Sequence, residues 1–171
     1  MKSDGGNRPS VYIAVVGGAV AGEDELRLAE RVGEEIARRG AVLVCGGRTG
    51  VMEAASRGAR RLGGTVLGIL PGEDRSEANP FVSVAVATGM GNARNAVIVK
   101  TADAVVAVGG GYGTLSEIGL ALNSGRPVVG LSTWRLERRG RPDPGVVAAE
   151  TPEEAVELAV RLAGRPAGPA G

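Results

Sequence analysis

Residues 106–117 read Val-Ala-Val-Gly-Gly-Gly-Tyr-Gly-Thr-Leu-Ser-Glu and constrain this chain more than any other stretch. An apolar strand, Ala104 to Val108, runs into four glycines within five positions, and a helix follows over Leu115 to Leu122. A strand that ends in a glycine-rich turn and opens a helix is suited to holding an anion. Glycine lets the backbone approach closely, and the first helical N–H groups and the helix dipole favour negative charge. Thr114 suits the N-cap, and Glu117 lies three residues on, as in a capping box. Two readings of Glu117 follow. It is either a helix cap or a carboxylate aimed into a ligand site.

The same strand–turn–helix grammar runs through the whole chain. Val11 to Val16 reads as a buried strand, followed by Gly17-Gly18. An amphipathic helix then spans Asp24 to Arg39, with Leu26, Ala29, Val32, Ile36 and Ala37 on one face, and Gly40 stops it. Strand Ala41 to Cys45 leads through Gly46-Gly47-Arg48-Thr49-Gly50 into a helix over Val51 to Leu62. Strands at Thr65 to Leu70 and Val82 to Val86 flank a polar loop, Glu73 to Pro80. A helix over Asn92 to Thr101 precedes the glycine-rich stretch, and a helix over Thr114 to Ser124 follows it. Strand Val128 to Leu131, a charged loop from Arg135 to Pro144 and an edge strand at Val146 to Ala148 come next. The final helix begins at Thr151-Pro152-Glu153-Glu154, with an N-cap Thr, Pro in the first turn and acids beside it, and ends near Ala163.

Uninterrupted Val/Ile/Leu/Ala strands alternating with helices predict a doubly wound, mostly parallel sheet with helices on both faces. The domain is expected to span residues 11–163, with a disordered lead-in at 1–10 and a frayed tail at 164–171. In such sheets ligands bind beyond the carboxyl ends of the strands, near a switch point in strand order. Three loops have the composition for that edge: Gly17-Gly18, Gly46 to Gly50, and Gly109 to Gly113. None is a Walker A loop, since no Gly-Lys-Ser/Thr follows. None is the first-unit Gly-x-Gly-x-x-Gly of ordinary dinucleotide binding.

Composition removes several function classes. The 171 residues contain no histidine, which excludes Ser-His-Asp and Cys-His catalysis and His-ligated metal sites. Net charge is +1 and aromatics make up 2%, so neither a basic nucleic-acid surface nor a stacking platform for single strands is expected. A single cysteine, Cys45, fits a reducing cytosol and reads as a buried structural thiol. No apolar run approaches a membrane span and no signal peptide is visible, so a cytoplasmic location is expected.

Gly109 to Glu117 resembles the Pro-Gly-Gly-x-Gly-Thr-x-x-Glu signature of the proteins once labelled "lysine decarboxylase-like". These include the Lonely Guy phosphoribohydrolases and the molybdenum cofactor carrier proteins. The loop order also matches: Gly-Gly after the first strand, Gly-Gly-x-x-Gly-Val-Met-Glu at 46–53, then Arg94 ahead of the signature. The resemblance runs from about Val11 to Leu131 and implies a single-domain Rossmann-like fold. In the hydrolases an Arg-Lys pair precedes the signature, and its Arg acts with the signature Glu at the ribosyl bond. Here Arg94 and Glu117 occupy those two positions, Asn95 replaces the lysine, and Gly109 replaces the first proline. The stretch Thr88 to Ala96, which includes Met90, is more similar to the carrier branch. Nothing supports decarboxylation, because no Schiff-base lysine site is present and Lys100 sits on an unremarkable helix.

The resemblance therefore implies a carrier-like protein that binds a phosphorylated, nucleotide-like or pterin-phosphate ligand. A molybdopterin-type cofactor or a nucleoside monophosphate would occupy the loops, and no cofactor is required for any chemistry. The alternative is a phosphoribohydrolase cleaving the N-glycosidic bond of a nucleoside 5′-monophosphate, with Arg94 and Glu117 as its catalytic pair. A non-catalytic nucleotide sensor is a third reading. Expected ligand contacts are Gly17, Gly18, Gly46, Gly47, Arg48, Gly50, Met90, Gly110, Gly111, Tyr112, Gly113 and Thr114, with no metal. For Arg94 and Arg48 a solvated surface cation is the competing reading, and for Glu53 simple dipole compensation. Tyr112 is either a lid over the ligand or a partly exposed loop tyrosine. The Ala/Leu-rich helix at Ile118 to Leu122 packs either on the sheet or on a second subunit of a homo-oligomer, dimer or tetramer. Neither nucleic acid nor membrane is an expected partner.

Overall fold

Each apolar run forms a strand close to its expected position, in a computed structural model that describes residues 10–164. The strands are β1 (Tyr12–Gly17), β2 (Val42–Cys45), β3 (Val66–Leu70), β4 (Val84–Ala87), β5 (Ala104–Val108), β6 (Val128–Leu131), β7 (Glu137–Arg138), β8 (Arg141–Pro142) and β9 (Val146–Ala149). The helices are α1 (Glu23–Arg38), α2 (Val51–Arg61), α3 (Asn95–Thr101), α4 (Tyr112–Asn123) and α5 (Pro152–Ala163). Seven strands form one sheet in the order β4-β3-β2-β1-β5-β6-β9, and every pairing in it is parallel. From β1 the chain steps outward to β4, then returns to the other side of β1 as β5 and steps outward to β9. The reversal in strand order therefore lies between β1 and β5. The fold is the doubly wound Rossmann-like α/β architecture.

Helices cover both faces. α1, α2 and α5 pack on one side, where Val32, Ile36, Ala55 and Val156 meet Ile13, Val15, Leu43 and Val106. α3 and α4 cover the other side, where Ile98, Val99, Ile118 and Ala121 meet Ala14, Val16, Val44 and Val105. The interior strand β5 is buried along its whole length, which is why its sequence does not alternate. No described helix is long and apolar enough to cross a membrane.

α1 and α2 cross at Gly33 and Gly58. A Cβ at Gly33 would overlap the Ala55 carbonyl oxygen, and a Cβ at Gly58 would overlap that of Glu30. The two backbones are thus in contact. Arg57 and Arg61 close the flank of the crossing onto the Glu30 carboxylate at 2.9 and 3.1 Å. The start of α5 has the expected cap: Thr151 Oγ1 accepts the Glu154 N–H at 3.2 Å.

Four local expectations need correction. α4 begins at Tyr112 with Gly111 at its N-cap, so Thr114 lies buried inside the first turn and forms no capping box with Glu117. Thr114 is drawn in because the turn starts earlier and its side chain packs beneath Gly110. The helix foreseen over Asn92 to Thr101 is divided into a 3-10 turn, Gly91–Arg94, and α3. The Gly91 N–H is pinned to the Pro71 carbonyl at 2.9 Å, which tightens that turn. The charged loop at 135–144 holds a two-stranded antiparallel hairpin of β7 and β8, and the polar loop at 73–80 holds a 3-10 turn, Arg75–Glu77. Both are exposed polar segments with no apolar alternation to announce them. The lead-in at 1–9 and the tail at 165–171 lie outside the described residues.

The α1–α2 crossing gives the first prediction. Gly58→Ala is expected to destabilise the domain by about 1–3 kcal/mol, because a methyl group must push apart two backbones that have no flexible side chain between them. The midpoint of urea denaturation checks this, and a midpoint equal to that of the unchanged chain would contradict the crossing geometry.

Candidate functional site

The carboxyl ends of β1, β2 and β5 bring the three glycine-rich loops to one edge of the sheet. The first two are joined directly: the Val51 N–H bonds the Gly18 carbonyl at 3.0 Å, and Thr49 Oγ1 donates to the Ala19 carbonyl at 3.0 Å. At the β1/β5 reversal an open cleft of about 270 Å³ is lined by Gly17, Gly18 and Ala19, by Met52, by Asn92, Arg94 and Asn95, and by Gly111, Gly113, Thr114 and Glu117. This is where an open α/β sheet places its ligand.

The first half of the Gly109–Gly113 loop is held from outside by four hydrogen bonds. Gly109 N–H bonds the Leu131 carbonyl at 3.1 Å, and Thr133 Oγ1 donates to the Gly109 carbonyl at 2.5 Å. Gly110 N–H bonds Glu25 Oε1 at 3.3 Å, and Trp134 Nε1 donates to the Gly111 carbonyl at 3.2 Å. The N–H groups of Gly111, Tyr112, Gly113 and Thr114 have no protein acceptor among the described residues. They are the orphan donors of a helix start, collected at the wall of the cleft.

Arg94 is buried, so the surface-cation reading of this residue does not hold. Its Nη1 donates to the Gly46 carbonyl at 2.7 Å and to the Ile69 carbonyl, tying the carboxyl ends of β2 and β3 together. Its Nε is buried without a partner. Burial pulls the guanidinium below its ordinary value, and Glu117 acts against that. Glu117 lies across the cleft with no ion pair within 4.0 Å among the described residues. Burial raises its carboxyl to about 7, with Arg94 opposing the rise. At neutral pH the cleft thus carries one cation held in the wall and one carboxyl near its titration midpoint.

The sequence-derived contacts divide clearly. Gly17, Gly18, Gly111, Gly113, Thr114, Arg94 and Glu117 meet in the cleft. Gly46 lies behind it, as the acceptor for Arg94. Gly47 donates its N–H to Cys45 Sγ at 3.3 Å, and the Cys45 thiol is buried and pushed up by desolvation, as a structural thiol should be. Arg48 points away and pairs with Glu77 at 3.0 Å on the surface. Gly50 and Glu53 line a separate neighbouring cavity of about 340 Å³. Met90 is 48% exposed and outside the cleft lining, and Gly110 is turned toward Glu25. Tyr112 is 82% exposed, with its ring 5.7 Å from that of Trp134, so it does not cover the cleft in this conformation. Sequence reasoning missed Ala19, Met52 and Asn92 as lining residues. Asn92 was open to inference, since it lies two residues before Arg94 on one tight turn; Met52 is apolar and gave no chemical signal.

The comparisons with known proteins agree with this fold. The family model LDcluster4, described as the SLOG cluster4 family, matches residues 10–156. An uncharacterised protein of Archaeoglobus fulgidus is 45% identical over 150 residues, covering 88% of this chain and 95% of that protein. A solved molybdenum cofactor binding protein from Rippkaea orientalis superposes with a TM-score of 0.80 at 36% identity, covering 90% of this chain and 97% of that one. A probable cytokinin riboside 5′-monophosphate phosphoribohydrolase of Oryza sativa subsp. japonica is 34% identical over 93 residues, covering 53% of this chain and 38% of that protein.

The raised Glu117 carboxyl predicts a pH-dependent stability. A folded-state value above the unfolded one means the native fold disfavours the ionised form. The penalty is absent below about 4.5, grows as pH rises, and is complete above about 7. Glu117→Gln removes it. The variant is expected to match the unchanged chain at pH 4 and to exceed it at pH 8 by on the order of 2–3 kcal/mol. Thermal unfolding at the two pH values checks this, and equal stability at pH 8 would refute the buried placement of the carboxyl.

Proposed function

We propose that this chain, which belongs to the SLOG cluster4 family, binds a phosphorylated small molecule across its glycine-rich loops, in the manner of a molybdenum cofactor carrier. The observation that carries this reading is the set of unpartnered N–H donors at Gly111 to Thr114. Gly111, Gly113 and Thr114 line the cleft, and the N–H groups of Gly109 and Gly110 are already bonded, so a phosphoryl group would complete the remaining donors. The likeness to the Rippkaea orientalis protein supports a pterin-phosphate as the cargo. The phosphate of such a ligand fits these donors. The cleft lining offers no thiolate to a metal, since Cys45, the single cysteine, is buried elsewhere. A metal-bearing cargo would therefore keep its own sulfur ligands, and the protein would recognise its phosphate and its shape.

A second reading, N-glycosidic hydrolysis of a nucleoside 5′-monophosphate, is favoured by the Glu117 carboxyl. A group that titrates near 7 suits general acid–base work or stabilisation of oxocarbenium charge. Asn95 stands where the hydrolases have a lysine, which removes a cation from the reacting end of the cleft. Turnover on AMP is expected to be weak or absent. Free-base release that is robust in the unchanged chain and lost in Glu117→Gln would establish the enzyme instead. Mass spectrometry of ligands retained by the native protein distinguishes pterin from nucleotide.

Two further outcomes are expected. Gly111→Val places a side chain at the donor cluster. A Cβ at Gly111 meets no atom within 4 Å, and its φ of −101° is open to any residue, so the variant should fold. Its affinity for AMP or the native ligand is expected to fall at least about tenfold, as for loss of a charge-assisted hydrogen bond. Calorimetry checks this, and unchanged affinity would remove the loop from the site. We also propose a homo-oligomer, a reading supported by the resemblance and by a sheet edge on the α3/α4 face. There Val84 and Val86 of β4 are 52% and 40% exposed. Light scattering is expected to give at least a dimer mass at micromolar concentration; a monomer mass would refute it.

A further inference from the structure

We propose that Glu25 fills one anion-binding position of the Gly109–Gly113 loop with the chain's own carboxylate, and so restricts the site to ligands carrying a single phosphoryl group. The inference rests on the phosphate-binding reading above and adds a specificity-determining residue to it.

Glu25 lies in the first turn of α1. Its Oε2 accepts the Gly22 N–H at 3.2 Å, which closes the N-terminus of its own helix. That local cap accounts for one oxygen only. The other, Oε1, accepts the N–H of Gly110, 85 residues away, at 3.3 Å. Gly109 has φ +51°, and the Glu25 carboxylate occupies the space that a Cβ at Gly109 would need. Glycine at 109, in place of the signature's proline, and glutamate at 25 are therefore two halves of one contact. No cation lies within 4.0 Å of Glu25 among the described residues, so its charge is not neutralised by a local ion pair.

The consequence concerns how many phosphates the loop can take. A glycine-rich turn that binds pyrophosphate offers successive backbone N–H groups to two phosphoryl groups. Here the first of those donors is spent on a carboxylate. The Gly109 carbonyl, in the same peptide unit as the Gly110 N–H, accepts from Thr133 Oγ1, so that peptide cannot turn toward a ligand without breaking this bond as well as the one to Glu25. The donors from Gly111 to Thr114 remain for one phosphoryl group. A second one, extended toward Gly110, would meet the negative charge of the Glu25 carboxylate.

The test uses the full chain, with inorganic phosphate against pyrophosphate and AMP against ADP, titrated calorimetrically at fixed ionic strength. Glu25→Gln keeps an acceptor for Gly110 and removes the charge, whereas Glu25→Ala removes both. The unchanged chain should prefer the monophosphate of each pair. Glu25→Gln should raise the pyrophosphate-to-phosphate affinity ratio at least about tenfold while leaving amide exchange of residues 109–113 unchanged. Glu25→Ala should raise both the ratio and the exchange; if it does not fold, Glu25→Gln carries the same test. A ratio unchanged in Glu25→Gln, with phosphate still bound, overturns the role of Glu25 alone. Failure of the unchanged chain to bind either phosphate or AMP overturns the phosphate reading, and this inference with it.

Discussion

The bond from the Arg94 guanidinium to the carbonyls of Gly46 and Ile69 is the interaction on which the cleft depends. Parallel strands end in carbonyls that the ladder no longer satisfies, and buried carbonyls without partners are costly. Arg94 reaches two of them from a tight turn and so fixes the ends of β2 and β3 relative to α3. The same side chain supplies the cleft with a positive wall. Burying it is unfavourable, which is why its charged form is weakened and why Glu117 across the cleft matters to it. Structure and electrostatics are coupled here through one residue, so loss of Arg94 would disturb the shape of the site as well as its charge.

A balance of opposing charges then sets the character of the site. Glu117 is buried enough to resist ionisation, yet Arg94 keeps it from becoming a permanently neutral acid. Glu25 lies on the far side of the Gly110 peptide. The N–H donors at the start of α4 follow the Gly110 peptide along the chain and precede Glu117 in the same helix. Such a row attracts an anion only where the surrounding carboxylates leave room for one, so their positions matter as much as the donors themselves.

Much of the fold was legible because the signals were local and strong. Runs such as Ala104 to Val108 are apolar at every position, and only a strand covered on both faces uses such a run. The start of α5 at Thr151-Pro152 could be read from cap chemistry alone. Where the reading failed, the deciding contact was distant in sequence. Thr114 looked like a cap because its neighbours in sequence allow it; the structure uses Gly111 because the Gly109–Gly111 segment is fastened by Glu25, Thr133 and Trp134. Arg94 could pass for a solvated arginine because nothing near it in sequence reveals the Gly46 and Ile69 carbonyls. Arg48 looked like a phosphate ligand from its place in a glycine-rich loop, yet Glu77, 29 residues on, holds it at the surface.

The difference between holding a phosphorylated ligand and cleaving it comes down to cations at the reacting end. Cleavage of an N-glycosidic bond develops positive charge on the sugar, which an ionised carboxylate must stabilise while separate cations anchor the phosphate. In this cleft Arg94 has Nη1 engaged by two carbonyls, Asn95 is neutral, and Arg48 is paired outside. The phosphate would then be anchored chiefly by backbone N–H groups, which bind a ground state and a transition state about equally well. Uniform binding lowers the free energy of the complex without lowering the barrier from it. Under the proposed phosphate-binding reading, the arrangement would favour retention of an intact ligand over its turnover.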